Sequence, residues 1–255
     1  MADPAGAASP EALASALLTA HFSVMLTGIR LGESDPLETG DPRGEWARNA
    51  SLEVLLTDPA RFWRFFYPRA LAAAERHPNA AHTAIARLQR AGILSAVVTQ
   101  AVDRLHLKAG SPEVVEVYGH LLLAKCERCG ERYGLPEVGM LMERSVDGVP
   151  RCTTEGCSFP LRPEGTLWGE PLPVEAVTRA WELAAAADLF VVVDSPLRTA
   201  PISLLPSVPL TRRVPLVIIG QVPTQYDRYA ALVVRTPSIE VLAALADLVA
   251  PSPAP

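Results

Sequence analysis

Four cysteines in two close pairs, Cys126-Glu-Arg-Cys129 and Cys152-Thr-Thr-Glu-Gly-Cys157, carry the clearest chemistry in this chain. The first spacing lets both thiolates reach one ion from a tight turn, and Gly156 loosens the wider second pair. The stretch between the pairs is short enough to bring them together. Four thiolates would close a tetrahedral shell around zinc and leave no position for water, so the expected ion is structural. Four free buried thiols are the bland alternative. The flanking Arg128, Glu131 and Arg132 make the neighbourhood polar and count against it.

Such a site needs a frame, and the rest of the sequence supplies a periodic one. Short apolar runs read as strands at His21–Thr27, Leu94–Thr99, Glu113–Val117, Leu189–Val193, Leu216–Ile219 and Ala231–Val234. Helices are expected over Pro10–Ala20 (with Ser9 as a cap), Asn79–Ala91 before Gly92, Val174–Ala187 and Ser238–Val249. Trp46–Arg76 reads as helical pieces broken near Pro59 and Pro68. Its Trp46, Phe62, Trp63, Phe65 and Phe66 fall at helical spacing and suit a core or a cleft lining. Residues 30–44 are rich in Gly, Pro, Asp and Glu and read as a loop. Unbroken apolar strands alternating with helices predict an α/β fold: a Rossmann-like parallel sheet with helices on both faces. A small zinc-binding module, about residues 121–163, would be inserted into a single domain of 255 residues. Ligands of such sheets sit at the carboxyl ends of the strands, here Thr27-Gly28, Thr99-Gln100, Asp194-Ser195 and Gly220-Gln221.

Composition narrows the function. Twenty-three basic against 28 acidic side chains give a net charge of −5, so no basic field supports nucleic-acid binding. No apolar run reaches the roughly 18–20 residues of a membrane span. The first 20 residues lack a basic stretch ahead of their apolar part, which argues against a secretory signal. A cytoplasmic protein is expected, and paired cysteines in a reducing compartment favour metal over disulfides. Oligomeric state is not legible.

Several motifs, in order along nearly the whole chain, resemble those of the sirtuins, the NAD-dependent protein deacylases. VMLTG at Val24–Gly28 resembles the strand before the family's Gly-Ala-Gly loop, and Asp41-Pro-Arg43-Gly its Asp-Phe-Arg-Gly. Pro78-Asn-Ala-Ala-His82 resembles Pro-Asn-x-x-His. Val97–His106 resembles the segment around Thr-Gln-Asn-Ile-Asp-Gly-Leu-His, and Glu116-Val-Tyr-Gly119 resembles Glu-Leu-His-Gly. Leu161-Arg-Pro and Trp168-Gly-Glu-Pro-Leu-Pro173 resemble the substrate-side motif, and Asp194-Ser-Pro-Leu197 resembles Gly-Thr-Ser-Leu. The resemblance implies a large Rossmann domain, a small zinc domain and a substrate cleft between them. It also implies cleavage of nicotinamide from NAD, capture of the sugar by an acyl-lysine oxygen, and a histidine acting as base on a ribose hydroxyl.

The chain departs from the family where that chemistry is done. Tyr118 stands at the histidine, and a phenol with a pKa near 10 is a poor base at neutral pH. His120 is a substitute; in an extended segment it would share the face of Tyr118, displaced by about 6–7 Å. Ala101 replaces the asparagine that organises the nicotinamide ribose. After Gly28 the phosphate loop reads Ile29-Arg30-Leu31-Gly32, and Pro42 replaces the aromatic lid although Arg43 remains. Asp194 brings a carboxylate toward phosphate or ribose, Pro196 removes an amide donor, and Gly220 replaces an asparagine on the adenosine side. These changes argue against ordinary NAD-dependent deacylation. Tyr118, His120 and Asp103 are the catalytic candidates, against packing for Tyr118, solvent or backbone contacts for His120 and helix capping for Asp103. Gly28, Arg30, Arg43, Gln100 and Ser195 are the cofactor-side candidates. Arg30 and Arg43 would bind an anion or pair with Asp194 or Asp41. His82 and His106 read as structural hydrogen-bonders.

The sequence therefore points to a divergent sirtuin whose ordinary NAD chemistry is lost or rebuilt and whose cleft serves a different small-molecule or acyl substrate, or an acylated peptide, as an enzyme or as a binding protein. An NAD-dependent lysine deacylase with His120 as base, and a non-catalytic acyl-peptide or partner-binding module, are the alternatives.

Overall fold

A computed structural model describes residues 10–29, 31 and 44–250. Ser9, Arg30, Gly32, Asp41, Pro42 and Arg43 lie outside the described residues. In chain order the elements are α1 (Pro10–Thr19), β1 (Ser23–Thr27), α2 (Glu45–Asn49), α3 (Leu52–Thr57), α4 (Pro59–Glu75), α5 (Ala80–Arg90), β2 (Ala96–Thr99), α6 (Leu105–Lys108), β3 (Val114–Glu116), β4 (Leu123–Cys126), β5 (Arg132–Gly134), α7 (Leu135–Arg144), β6 (Leu161–Pro163), α8 (Val174–Ala186), β7 (Leu189–Val193), α9 (Ser207–Thr211), β8 (Leu216–Ile219), β9 (Leu232–Val234) and α10 (Ser238–Val249). They fall into two compact units. The first holds α1, β1, α5, β2, α6, β3 and everything from α8 onward; the second holds α2–α4 and the elements from β4 to β6.

The first unit is built on a six-stranded sheet of order β3-β2-β1-β7-β8-β9, every pair parallel. This is the doubly wound order, which reverses between β1 and β7. The apolar strands are buried on both faces, which is why they read as unbroken hydrophobic runs rather than alternating ones. Met25, Val97, Val191 and Val217 stand in register and pack with Leu13, Leu17, Ile85, Leu88, Leu242 and Leu245 of α1, α5 and α10. Val24, Leu26, Val98, Phe190, Val192 and Ile218, one residue out of phase, are equally buried on the other face. Asn79 caps α5, its Oδ1 accepting the His82 amide at 3.1 Å. That explains the local sense of Pro-Asn-x-x-His.

The second unit carries a three-stranded antiparallel sheet of order β5-β4-β6 and the helix α7, both inside the segment 121–163 expected to form a small zinc-binding module, whose elements the sequence did not resolve. Its aromatic cluster answers the spacing of Trp46, Phe62, Trp63, Phe65 and Phe66: these rings pack edge-on or stacked at 5.3–6.2 Å. Pro59 opens α4 behind the Asp58 cap, as its missing N–H allows. Pro68, expected to break the helix, lies inside it. An interior proline costs about 3 kcal/mol. Phe62, Trp63 and Phe66 before it and Ala70 and Ala73 after it are all buried on α4. Each large side chain buried contributes about 1.5–3 kcal/mol, so packing holds the helix through the proline. No helix among the described residues is long and apolar enough to cross a membrane.

Candidate functional site

In the first unit the carboxyl ends of the central strands meet in backbone contact. The Gly28 amide donates to Val193 O at 2.8 Å, and a Cβ on Gly28 would overlap the Asp194 carbonyl and crowd the Ser195 Cα. Only glycine fits there, because the Asp194 carbonyl occupies the place a side chain would take. The buried Ser195 hydroxyl donates to Gln100 Oε1 at 2.6 Å, tying the end of β7 to the end of β2 across β1. Three of the cofactor-side candidates, Gly28, Gln100 and Ser195, are thus brought together at the point where the strand order reverses. Asp194 is beside them in a left-handed conformation, φ 49°, with its carboxylate on the Ser238 hydroxyl. Burial pushes this carboxyl above its ordinary range, and the Ser238 hydrogen bond opposes that.

A buried polar chain lies beneath this floor. The Thr27 hydroxyl donates to Thr99 Oγ1 at 2.9 Å and so accepts from His106 Nε2 at 3.0 Å. The His106 ring is 4.9 Å from that of His82, and its Nδ1 is buried without a hydrogen-bond partner. Burial, and next the neighbouring His82, push the His106 pKa down to about 3. His106 is neutral and structural, as expected of the Leu-His motif.

Asp103 is buried, and its Oδ1 accepts the Leu105 amide at 3.1 Å in a turn just ahead of α6, whose cap position is Arg104. Beside it the sequence reading missed a pair. Arg104 opens α6 with φ 61°, and its Nε lies 3.5 Å from Glu116 Oε2 at the end of β3. Burial raises the Glu116 pKa to about 7, against the pull of Arg104 and with help from Asp103. The signal was present: arginine stands where the sirtuin motif has glycine, and a left-handed residue favours glycine.

Tyr118 and His120 belong to the second unit. The segment is not extended. Residues 117–118 form a turn and Gly119 has φ 66°, so the shared face expected for the two side chains does not exist. The turn is set by a tight backbone crossing. Thr166 N donates to Tyr118 O at 2.9 Å, and a Cβ on Gly165 would stand 2.8 Å from His120 O. The His120 side chain is mostly buried; its Nδ1 accepts the Leu122 amide at 3.4 Å and its Nε2 lies 4.0 Å from Glu164 Oε2. Glu164 Oε1 is held by Arg132 at 2.8 Å, while Oε2 is buried without a hydrogen bond. Glu164 is thus a ready carboxylate partner for a charged His120. Forty-four positions separate them, and nothing local in the sequence could have paired them. Arg162 grips Glu170 through two bonds of 2.5 and 2.7 Å, and Glu170 also accepts the Leu167 amide. Burial works to raise the Glu170 pKa, but Arg162 and the amide prevail and hold it low. This fixes the Trp168-Gly-Glu loop, where Ser51, Leu52, Leu56 and Trp168 line a cleft of about 550 Å³.

The four cysteines lie in the same unit with their sulfur atoms all within 4.8 Å of one another. Cys126–Cys157 and Cys129–Cys152 are each separated by 3.5 Å, far outside a disulfide. A tetrahedron with Zn–S of about 2.3 Å has edges of roughly 3.8 Å, so the set fits one zinc ion. The Tyr133 hydroxyl donates to Cys152 Sγ at 3.2 Å, an outer partner of the kind that fixes a thiolate ligand.

Comparison with known proteins gives consistent results. Residues 45–201 match the model of the Sir2 family. "NAD-dependent protein deacetylase 1" of Pyrobaculum aerophilum is 35% identical over 242 residues, which cover 93% of each chain. The solved structure "Sir2-p53 peptide-NAD+" matches with a TM-score of 0.84 at 30% identity, covering 94% of this chain and 98% of its own. A Sir2 variant with tyrosine in place of a histidine, solved with p53 peptide and NAD, matches with a TM-score of 0.83 at 30% identity, covering 94% and 98%.

Proposed function

Because this chain belongs to the sirtuin (Sir2) family, we propose that it binds NAD and acylated lysine peptides and that the proton-transfer part of its chemistry has been rebuilt. The observation that carries the reading is a contrast. The carboxyl ends of β1, β2 and β7, where such sheets bind ligands, are held together, with Gly28 packed on Asp194 and Ser195 bonded to Gln100. The positions that move protons and hold ribose in the family carry Tyr118 and Ala101 instead. The Sir2 structure with a tyrosine for a histidine, solved with peptide and NAD, supports the compatibility of such a change with both ligands.

NAD, when bound, supplies a ribose carbon from which nicotinamide leaves. This chain's residues would act around it. Gly28 lets the end of β1 pack directly on Asp194, and the Ser195–Gln100 bond braces the strand ends where such sheets bind their ligands. The Arg162–Glu170 pair holds the Trp168 loop on the acyl-peptide side. The four cysteines bind a structural zinc that keeps β4–β6 in place and takes no part in the reaction. At position 118 a phenol takes up a proton poorly at neutral pH, so turnover is slow or runs on a different substrate.

The test is nicotinamide release from NAD with an acetyl-lysine peptide. Wild type turns over slowly, and the Tyr118→His/Ala101→Asn double variant gains about 10²–10⁴-fold. A wild type as fast as its relatives, with no gain in the double variant, overturns the rebuilt-chemistry reading. The His120–Glu164 pair favours a second reading, ordinary deacylation with His120 as base. In that case His120→Ala abolishes wild-type turnover while peptide binding persists.

A further inference from the structure

Asp194 stands at the point where the strand order reverses, immediately after β7. Ligands of doubly wound sheets gather at the carboxyl ends flanking that point. Its left-handed backbone, φ 49°, is one that non-glycine residues adopt at a cost, so the position is over-determined by its surroundings. The Asp194 amide donates to Ile219 O at 2.9 Å, and Oδ2 accepts the hydroxyl of Ser238, the first residue of α10. Oδ1 faces the end of β8. A Cβ on Gly220 would come within 3.1 Å of it, and Gly220 has φ 152°, a conformation that favours glycine. The end of β8 therefore carries no side chain, and a carboxylate from β7 fills that place.

Arg235, just after β9, is already engaged at this strand end. The Arg235 guanidinium donates to Gly220 O at 2.6 Å and to Val222 O at 3.2 Å, and it pairs with Asp227. A strand end with a carboxylate facing it and its arginine tied down suits vicinal hydroxyls and repels a phosphate ester.

We infer that Asp194 reads the adenosine ribose of the bound dinucleotide, accepting its hydroxyls and selecting the nucleotide that lacks a 2′-phosphate. This rests on the NAD reading above. The bland role of Asp194 is to cap the amino end of α10, where an acidic group is stabilising. The two roles part in a binding experiment.

Calorimetry on the full zinc-loaded chain would compare NAD, NADP and NAD bearing 2′-deoxyadenosine, in wild type and in Asp194→Gly, which removes the carboxylate and suits the left-handed backbone. Wild type binds NAD about tenfold or more tighter than either other ligand, the effect of a hydrogen bond to a charged group. The Gly variant, shown to be folded by circular dichroism and metal content, brings all three within about threefold. Equal affinities in wild type, or a wild-type preference kept in the variant, reduce Asp194 to a cap and leave the NAD reading standing. No binding of any of the three up to millimolar concentration removes the NAD reading and this inference together. Should the variant fail to fold, the three ligands on wild type decide alone: a tenfold preference supports Asp194, and equality overturns it.

Discussion

Acid should destabilise the first unit through a single imidazole. His106 is 1% exposed, its Nε2 is committed to Thr27, and its Nδ1 has no hydrogen-bond partner among the described residues. Protonation would place an orphaned N–H and a buried charge beside the His82 ring 4.9 Å away. The folded-state pKa is about 3, against an ordinary value of 6.5. A histidine held below its unfolded value leaves the unfolded chain binding the extra proton, so stability is present above about pH 6.5 and is lost as pH falls toward 3. Each pH unit inside that window is worth about 1.36 kcal/mol. Between pH 7 and pH 5 the loss is about 2 kcal/mol, and over the whole window it approaches 5. Against a typical total of 5–15 kcal/mol, the first figure is easily measured. The perturbation is His106→Gln, which keeps a donor for Thr27 and cannot titrate. Urea unfolding followed by circular dichroism, on zinc-loaded protein from pH 7.5 to 5, would be run on both proteins. The variant carries a constant penalty for its altered packing. Relative to wild type it should gain about 2 kcal/mol as the pH falls from 7 to 5. Protonation of the cysteines affects both proteins alike and cancels in the difference. Parallel profiles, or a folded-state titration of His106 near its ordinary value by NMR, would refute the reasoning.

Other consequences follow from the same structure. Glu116 is raised to about 7, so its sign is opposite: stability is present at acid pH and lost as pH rises from about 4.5 through 7. Glu116→Gln should therefore gain on wild type by roughly 1–2 kcal/mol between pH 5 and 8, after discounting for partial solvent screening; a pH-independent difference in urea midpoints would contradict it. Arg104 holds φ 61° at a cost of about 1–2 kcal/mol, only partly offset by a half-exposed ion pair. Arg104→Gly should raise stability by about 0.5–1 kcal/mol, and a lower thermal midpoint would show that the pair with Glu116 outweighs the strain. One zinc per chain is expected by elemental analysis. Cys126→Ser or a strong chelator should remove it and strip hydrogen-exchange protection from β4–β6, a metal effect of several kcal/mol; metal-free protein with unchanged protection would rule the site out.

The sequence by itself determined the sheet, the helices that cover it and the four cysteines that gather in one cluster. These rest on local signals: unbroken apolar runs for strands buried on both faces, and cysteine pairs whose spacing is chemistry in its own right. Motif order also identified the family. Pro68 shows where local rules stop, because its helical cost is overridden by aromatic packing along α4 that no neighbouring residue announces.

What only the tertiary structure decided are conformations and pairings between distant residues. The turn at Tyr118 and Gly119 exists because the backbone crosses Gly165, so an alternation rule misplaced His120. The Glu164 partner of His120, the Arg104–Glu116 pair and the approach of Asp194 to Gly220 join residues from separate strands and loops. Their chemistry depends on desolvation and on distances of a few ångströms. A linear chain fixes which groups are present, but burial and proximity, which set their charge and their partners, arise only when the strands are laid side by side.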